Sequence, residues 1–489
     1  MNYIKNSLLS IFFLVNITTL SAQHFEVVSN YKGWKWDSIY VYKNPYISLA
    51  VVPDAAGRVL EYNLGETASL WINPKELGKS YDNGDEVKLH EWRNFGGYRL
   101  VPIPMNNWAI NTAGSKVERW PPPVAIGDAP YQVAISEDKQ GKEVLEVHSK
   151  VQQMPVPLWN GREKAFSQPN SVDEEIQYSR TLSTEENSSR VFYTHTLKNV
   201  GEKEIDRGIM TTSQHMSWTD SLLQDGENFV AYIPFSTKYK MPDGEQFHIN
   251  VTPEMHWRYV HRNRMPLDKN NPEHVEKYFN VGTNWTGEVA PGIFEIHFDY
   301  NIMGGFHMVS SESWLCYVNK TNLTAFVKMF APYDPTLTYE EGVNIAIYNS
   351  GMETGYLETE VKTPIYKLKS GEHFDFEEIH AAAKILSTPV LAVKNAGIVT
   401  EYLTFDEKQS ALKGKYGVFF KGKAILKLWG DSSEVLKTIE LSEVDPLHGF
   451  ELNHEIQQEL IGQVSKVEIR IQSVNQEDFL LDTLDLTNL

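Results

Sequence analysis

Short runs of alternating apolar and polar residues, separated by turn residues, recur along the chain and constrain its fold more than any other feature. Successive side chains of a β-strand point to opposite faces, so this alternation is typical of strands with one buried side. The clearest runs are Tyr46–Val52, Val144–Val151, Arg190–Leu197, Phe294–Tyr300 and Thr324–Phe330. Runs of this length and spacing predict an antiparallel, all-β protein.

Helical patterns are scarce by comparison. The two candidates are Pro272–Phe279 and Phe376–Leu386. The second has acidic residues near its start and alanines at 381 to 383, as the first turn and the body of a helix should. We therefore expect a helix there and a domain boundary directly after it.

The composition changes beyond Ser387, where tryptophan and proline become rarer. Val418–Trp429 and Val467–Ile471 have the pattern of strands. We expect a main domain over residues 24–386 and a small C-terminal β-sandwich accessory domain over residues 390–489. The accessory domain is expected to be a packing module, with sugar binding as the alternative.

The first residues resemble a secretory signal peptide. Lys5 precedes the apolar run Leu8–Val15, and the small-residue pattern Leu20-Ser21-Ala22 follows before Gln23. This predicts a signal peptide over residues 1–22 and a periplasmic or secreted protein without membrane insertion. The chain has one cysteine, Cys316, which cannot form a disulfide within the chain.

The net charge of the 489 residues is -19, which argues against nucleic acid or an anionic membrane as a partner. The sequence has no glycine-rich phosphate loop between a strand and a helix, and no Gly-x-Ser-x-Gly nucleophile motif. Its histidines do not form the tight cluster that a zinc site needs. We therefore expect no cofactor and no required metal.

Three motifs of the main domain resemble those of galactose mutarotase-like proteins, in particular an uncharacterised bacterial subfamily. They are Val52-Pro53-Asp54-Ala55-Ala56-Gly57-Arg58-Val59, the run from Phe95 to Pro104 followed by Trp108, and the segment Gly355–Gly371. The resemblance implies a β-supersandwich whose many antiparallel strands form a broad concave face that holds a saccharide. Together the motifs span most of residues 50 to 385.

The resemblance also implies two catalytic residues. Aldose 1-epimerases of this superfamily use a glutamate base in a Leu-Glu-Thr motif, which matches Leu357-Glu358-Thr359 here. Their histidine acid follows an asparagine, and the similar position in this chain is His215, preceded by Gln214. The expected catalytic pair is thus His215 as acid and Glu358 as base, facing each other across one pocket.

The chemistry of anomer interconversion requires such a pair independently. The ring oxygen must gain a proton while the anomeric hydroxyl loses one, so two groups are needed on opposite sides of the ring. A histidine titrates near neutrality, and burial raises the pKa of a glutamate. Glu360 is expected on the same strand face as Glu358, where two carboxylates would raise each other's pKa.

Other residues are candidates for holding the sugar. Arginines beside glycine turns offer a rigid fork of donors to hydroxyl groups, tryptophans offer flat apolar surfaces, and two histidines lie in or next to strand-like runs. The candidates are Arg58, Arg99, Trp108, Trp218, His297, His307 and Glu360. For each of them, a purely structural role is the alternative.

The stretch Phe247–Trp285 is unusually rich in basic and aromatic residues for an acidic chain. Arg264 lies within it and is a candidate for binding an anionic sugar, although an insertion loop that pairs with the acidic surface would have the same composition.

The leading interpretation is an extracytoplasmic, aldose 1-epimerase-like isomerase that acts on a mono- or oligosaccharide. One alternative is a polysaccharide lyase acting on a uronate-containing glycan, for which Tyr259, His256 and Arg264 would be central. The other is a carbohydrate-binding protein without catalysis.

Overall fold

The alternating runs form strands in the structure, a computed structural model. It describes residues 24–81, 92–118, 122–160, 162–167, 172–217, 228–236, 238–245, 247–249, 272, 285–298, 304–350, 354–432 and 434–487. Thr324–Phe330 is a strand with the bounds that the sequence predicts, and strands overlap the four other runs. The prediction of an all-β protein with sandwich sheets is confirmed.

In the described part of the chain, 12 strands form the first large sheet, sheet A, and its main path runs β1-β2-β3-β4-β6-β17-β26-β25-β22-β19. The strands of sheet A are β1 Glu26–Val28, β2 Ile39–Lys43, β3 Ile47–Val52, β4 Arg58–Leu64, β5 Thr67–Ala68, β6 Tyr98–Ile103, β17 Ile205–Met216, β19 Phe247–Ile249, β22 Gly304–Met308, β25 Ile345–Asn349, β26 Tyr356–Lys362 and β27 Tyr366–Leu368.

The second large sheet, sheet B, has 11 strands within the described ranges, and its main path runs β20-β21-β18-β23-β24-β28-β16-β15-β10-β9. The strands of sheet B are β9 Gln132–Glu137, β10 Glu143–His148, β11 Gln152–Met154, β15 Glu174–Thr184, β16 Val191–Asn199, β18 Phe229–Pro234, β20 Trp285–Ala290, β21 Ile293–His297, β23 Trp314–Asn319, β24 Thr324–Phe330 and β28 His373–Lys384.

Sheets A and B pack face to face over one continuous core. Leu357 and Val361 of sheet A and Tyr317 and Phe326 of sheet B belong to the same cluster of buried side chains. Because side chains alternate along a strand, the residues between those of the core point to the opposite surface of each sheet. Each sheet therefore has an inner face toward the other sheet and an outer face away from it.

The C-terminal part of the chain forms two four-stranded sheets within the described residues. One contains β29 Ala392–Lys394, β30 Gly397–Asp406, β31 Ala411–Val418 and β34 Phe450–Glu455, and the other contains β32 Gly422–Trp429, β33 Val435–Val444, β35 Lys466–Ser473 and β36 Asp478–Asp485. Their apolar side chains share a buried cluster with Tyr232, Cys316 and Val327 on the outer face of sheet B. The outer face of sheet B thus packs against the C-terminal sheets. Among the described residues, the outer face of sheet A contributes no side chain to this cluster.

The remaining elements are short. Small sheets are formed by β7 Ala109–Ile110, β8 Lys116–Val117 and β12 Val156–Pro157, and by β13 Trp159–Asn160 and β14 Ala165–Phe166. The helices are α1 Val124–Gly127, α2 Gln458–Ile461 and the 3-10 turns Tyr31–Gly33, Pro53–Ala55, Met105–Asn107 and Glu340–Gly342. Among the residues described, no helix is long and apolar enough to cross a membrane.

The helix expected at Phe376–Leu386 is wrong, because His373–Lys384 forms β28 in the middle of sheet B. Its first residues alternate between exposed and buried, with Phe374, Phe376 and Glu378 directed inward. The three alanines suit a strand whose two faces are both covered, here by the sheet A core and by the C-terminal sheets. The other helix candidate, Pro272–Phe279, lies outside the described residues apart from Pro272.

Candidate active site

The strand register of sheet A places a row of polar side chains on its outer face. Glu358 on β26 lies between Gln214 on β17 and Tyr348 on β25, and Glu360 lies between Thr212 and Ala346. Residues paired in this way across antiparallel strands share a face, and Leu357 and Val361, which alternate with them, belong to the inner core. Extending the rows across β6 and β22 adds Arg99, opposite Thr212, and His307, opposite Ala346. We call this surface the polar face; it comprises Arg99, Thr212, Gln214, His307, Tyr348, Glu358, Glu360 and Lys362.

Glu358 is the most firmly held acid of the polar face. Its Oε1 accepts hydrogen bonds from Nε2 of Gln214, at 2.9 Å, and from a terminal nitrogen of Arg99, at 3.3 Å. Its other oxygen, Oε2, has no hydrogen-bond partner in the described part of the chain. Burial raises the pKa of Glu358, and the neighbouring Arg99 and Gln214 counteract that rise. One oxygen is thus fixed while the other can accept a proton.

Glu360 lies beside Glu358 on the same face, as the sequence predicts for residues two apart on a strand. Among the described residues its carboxylate makes no hydrogen bond, although the residue is only 8% exposed. Burial, and then the charge of Glu358, raise the pKa of Glu360 to about 7. The two carboxylates therefore titrate as a coupled pair in which one is held ionised more firmly than the other.

His307 lies on β22, two strands away from Glu360 in the same row of the polar face. Its Nδ1 lies 3.2 Å from Oε2 of Glu341, and this contact, with Lys362 nearby, lowers the pKa of Glu341 to about 2. Its Nε2 lies over Gly305, 2.9 Å from the position that a Cβ atom would occupy there. Gly305 is in the same row as Tyr348 and Glu358, so the lack of a side chain at this position lets the imidazole lean along β22 toward that row.

Two further atoms of the polar face are buried without a partner. Within the residues described, Oγ1 of Thr212 and Oε1 of Gln214 are inaccessible and accept or donate no hydrogen bond. Buried polar side-chain atoms are nearly always paired in folded proteins. Together with the carboxylate oxygens of Glu358 and Glu360, they form a cluster of buried oxygens whose hydrogen-bonding capacity is not fully used within the described residues.

His215 is not part of this surface. It follows Gln214 on β17 and pairs with Leu357, so its side chain points to the inner face of sheet A. There the ring stacks on Tyr317 of sheet B at 4.3 Å, while Nδ1 meets Oγ of Ser69 at 3.0 Å and Nε2 meets Oγ1 of Thr359 at 2.8 Å. Burial holds the pKa of His215 well below its usual range. The expected convergence of His215 and Glu358 on one pocket is therefore corrected: the sheet separates them.

Arg58 also lies away from the polar face, in a buried ion pair. It is 1% exposed and contacts Oδ1 of Asp128 at 3.1 Å. It donates further hydrogen bonds to the carbonyls of Gly96 and Gly127. Its two terminal nitrogens are engaged in bracing the loop around Asp128, so the structure does not bring it to the sugar-binding position that the sequence suggested.

Trp108 and His297 are likewise elsewhere. Trp108 is fully buried and donates its indole N–H to the carbonyl of Pro102 at 2.9 Å, as a core residue. His297 is on β21 of sheet B opposite Val230, and Val230 belongs to the cluster shared with the C-terminal sheets. His297 thus has its side chain on the outer face of sheet B, not on the polar face. Trp218 and Arg264, like Tyr259 and His256, lie outside the described residues.

A separate cavity of about 380 Å³ lies between sheet B and the C-terminal sheets. Its walls include Trp314, Lys394, Tyr402 and Asp482. None of the candidate site residues lines it. In the chain as described, no group of three or more histidine, cysteine, aspartate or glutamate residues is arranged to hold a metal ion.

Sequence reasoning missed Gln214, Thr212 and Lys362 as parts of the site. Side chains of β17 alternate between the two faces of sheet A, and only one of Gln214 and His215 can share a face with Glu358. Because nearly every residue of β17 is buried, no alternation of polar and apolar residues indicates which of the two it is. The signal that was available is Gln214 itself, which replaces the asparagine of the resembling motif and is the residue that contacts Glu358.

No family model matches the sequence, and no curated protein is significantly similar to it. Similar solved structures include a galactose mutarotase-like protein from Clostridium acetobutylicum, 13% identical, with a TM-score of 0.41 over 74% of this chain and 99% of that chain. A galactose mutarotase-like protein from Lactobacillus casei is 8% identical, with a TM-score of 0.40 over 70% of this chain and 99% of that chain. A galactose mutarotase related enzyme from Lactobacillus acidophilus is 11% identical, with a TM-score of 0.39 over 70% and 96%.

These neighbours carry the name of the superfamily that the motifs of the main domain resemble. Because the identities and the TM-scores are low, what the polar face does has to be inferred from its own side chains.

Proposed function

We propose that this chain is an extracytoplasmic carbohydrate-active protein that interconverts the anomers of an aldose on the polar face of sheet A, in the manner of an aldose 1-epimerase. The observation that carries the proposal is the state of Glu358. One oxygen is fixed by Gln214 and Arg99, and within the described residues the other has no partner.

Glu358 is the general base of the proposed reaction. It accepts the proton of the anomeric hydroxyl group while the bond between the anomeric carbon and the ring oxygen breaks, and the ring opens to the free aldehyde. Rotation about the adjacent carbon–carbon bond and reclosure on the other side of the carbonyl give the second anomer. On opening, the ring oxygen takes a proton from the acid, and on reclosure it gives that proton back. Glu358 returns its own proton to the new anomeric hydroxyl, so no group is consumed.

The acid must stand on the other side of the ring, and His307 takes this role in place of His215. Two strand spacings separate β22 from β26, which puts the Cα atoms of His307 and Glu360 about 10 Å apart. The residue between them in this row is Ala346, whose small side chain leaves room for a single pyranose ring. Glu341 contacts Nδ1, orients the imidazole and stabilises the positive charge of the imidazolium. Nε2 is then the nitrogen that donates a proton to the ring oxygen of the sugar.

Arg99 and Gln214 hold the base. The guanidinium of Arg99 favours the ionised form of Glu358, and the side-chain amide of Gln214 fixes one of its oxygens. The extracytoplasmic location is supported by the signal-peptide pattern of residues 1–22, which lie outside the described residues.

The test uses purified protein lacking residues 1–22 and a panel of free hexoses and pentoses. Exchange between the two anomers is followed by NMR, with absorbance at the wavelength of an unsaturated uronate recorded on uronate-containing oligosaccharides. The proposal predicts exchange faster than the spontaneous rate for at least one aldose, and no unsaturated product. An unsaturated product would replace the proposal with a lyase, and sugar binding without exchange would replace it with a binding protein.

A further inference from the structure

Lys328 is a buried lysine directly behind the two carboxylates of the polar face. It lies on β24 of sheet B, is 4% exposed and points into the space between the sheets. Its Nζ donates a hydrogen bond of 2.9 Å to the carbonyl of Thr359. Thr359 stands between Glu358 and Glu360 on β26, so Lys328 contacts the strand at the residue that joins the two acids.

Thr359 is held from behind by a second group as well. Its hydroxyl meets Nε2 of His215 at 2.8 Å, and the imidazole is clamped by stacking on Tyr317. The backbone carbonyl and the side chain of Thr359 are therefore both fixed on the inner face. This double attachment limits how far the segment that carries Glu358 and Glu360 can shift toward or away from a ligand.

Between the two sheets, the positive charge of Lys328 is only partly balanced by a carboxylate. Its closest carboxylate, Glu378, lies 3.9 Å away and is shared with Thr211 at 3.2 Å, with His380 at 3.5 Å and with His195 at 3.6 Å. The titratable or charged groups that surround it between the sheets are Tyr98, Arg180, His195, His215, Glu378 and His380. Across the sheet it faces Glu358 and Glu360, beside which Arg99 lies.

We propose that Lys328 is a positioning residue for the acids of the polar face: it anchors β26 through the carbonyl of Thr359 and places a positive charge behind Glu358 and Glu360. This inference rests on the proposed function, because Lys328 affects catalysis only if Glu358 and Glu360 act on a sugar. The effect of Lys328 on the pKa values of the two carboxyl groups can be tested without substrate turnover.

The direction of the effect follows from electrostatics. Burial lowers the pKa of Lys328 to about 8, so the side chain is mostly protonated at pH 7. A positive charge stabilises an ionised carboxylate, and its removal raises the carboxylate's pKa. For charges roughly 8 Å apart at an effective dielectric constant of about 20, the expected rise is about 1.5 pH units.

The experiment is a pH titration of the protein labelled with carbon-13 at the glutamate carboxyl groups, followed by NMR. The signals of Glu358 and Glu360 are assigned by their loss in Glu358→Gln and Glu360→Gln. In Lys328→Met, which keeps the stem and removes the charge, both signals should titrate about 1.5 pH units higher than in the unsubstituted protein. In Lys328→Arg, which keeps the charge, the change should be clearly smaller. Unchanged titration in a folded Lys328→Met protein would overturn the proposal.

A second measurement needs no variant at Lys328, in case the buried substitution prevents folding. When Lys328 loses its proton near pH 8, the carboxyl signals of Glu358 and Glu360 should show a second, smaller step in the unsubstituted protein. A flat trace between pH 7 and pH 9 would contradict the proposed coupling. Because neither titration requires a sugar, a protein that shows the coupling but no anomer exchange would refute the proposed function alone.

Discussion

Replacing Glu360 by glutamine should stabilise the protein, and should do so only where the carboxyl group is ionised. Burial and the charge of Glu358 raise the pKa of Glu360 from 4.5 to about 7. A folded-state pKa above the unfolded value means that ionisation opposes folding. The contribution of Glu360 to stability is therefore fully present below about pH 4.5 and is lost as the pH rises to 7.

The size of this effect follows from the same shift. A rise from 4.5 to about 7 corresponds to up to about 3 kcal/mol of folding free energy lost on ionisation. Glutamine has nearly the same shape and no charge, so Glu360→Gln should avoid this loss. The difference in free energy of unfolding between the variant and the unsubstituted protein should grow from near zero at pH 4.5 to about 2–3 kcal/mol at pH 8.

The assay is equilibrium unfolding in urea at a series of pH values, with Glu377→Gln as the matched control. Glu377 is also a strand glutamate, but it is exposed on β28. The control should change stability by less than about 0.5 kcal/mol at every pH. A pH-independent difference for Glu360→Gln, or destabilisation at pH 8, would refute the view that two carboxylates are held together on this face against their mutual repulsion.

Three further outcomes are expected. Asp128→Asn should lower the free energy of unfolding in urea by about 3–5 kcal/mol, because it leaves the buried guanidinium of Arg58 without its counter-charge; a loss below about 1 kcal/mol would show that the pair is not structural. The thiol of Cys316, which is fully buried and whose pKa burial raises, should resist a thiol-specific disulfide reagent at pH 8 until the protein unfolds, and fast labelling of the native protein would contradict its placement under the C-terminal sheets. The value of kcat/KM for anomer exchange should fall as the pH decreases through the pKa of Glu358. Because burial raises this pKa, the acidic midpoint should lie above the ordinary glutamate value of 4.5, and a midpoint below that value would argue against Glu358 as the base.

The fold could be predicted from the sequence because its main signal is local. Alternation over seven or eight residues is visible in runs such as Thr324–Phe330, whose bounds are those of the strand. The Phe376–Leu386 segment misled the prediction because its acidic start and its alanines also fit a strand covered on both faces. Which faces are covered depends on the C-terminal sheets, and local sequence does not contain that information.

The site could be predicted only in part, for a related reason. Glu358 and Glu360 were placed together correctly, since residues two apart on a strand share a face whatever the rest of the sheet does. The position of His215 relative to Glu358 depends on the register between two strands more than a hundred residues apart. A register shift by one residue exchanges the two faces, and that shift decides whether His215 or Gln214 meets the base.

Arg58 and Arg99 illustrate the same limit. Both are buried arginines close to glycine turns, and nothing in their local sequence distinguishes them. The structure gives Arg58 the carboxylate of Asp128 and gives Arg99 that of Glu358, at 3.1 Å and 3.3 Å. Their different surroundings arise from long-range packing alone.

The most direct test of the account compares anomer-exchange rates of three proteins on the aldose that the unsubstituted protein converts best. Glu358→Gln should lower the catalysed rate about 10²–10⁴-fold, as expected for the loss of a general base. Glu295→Gln, which removes a buried glutamate on the outer face of sheet B, should leave the rate within about a factor of three. Full activity of Glu358→Gln would contradict the claim that the polar face of sheet A is the active site.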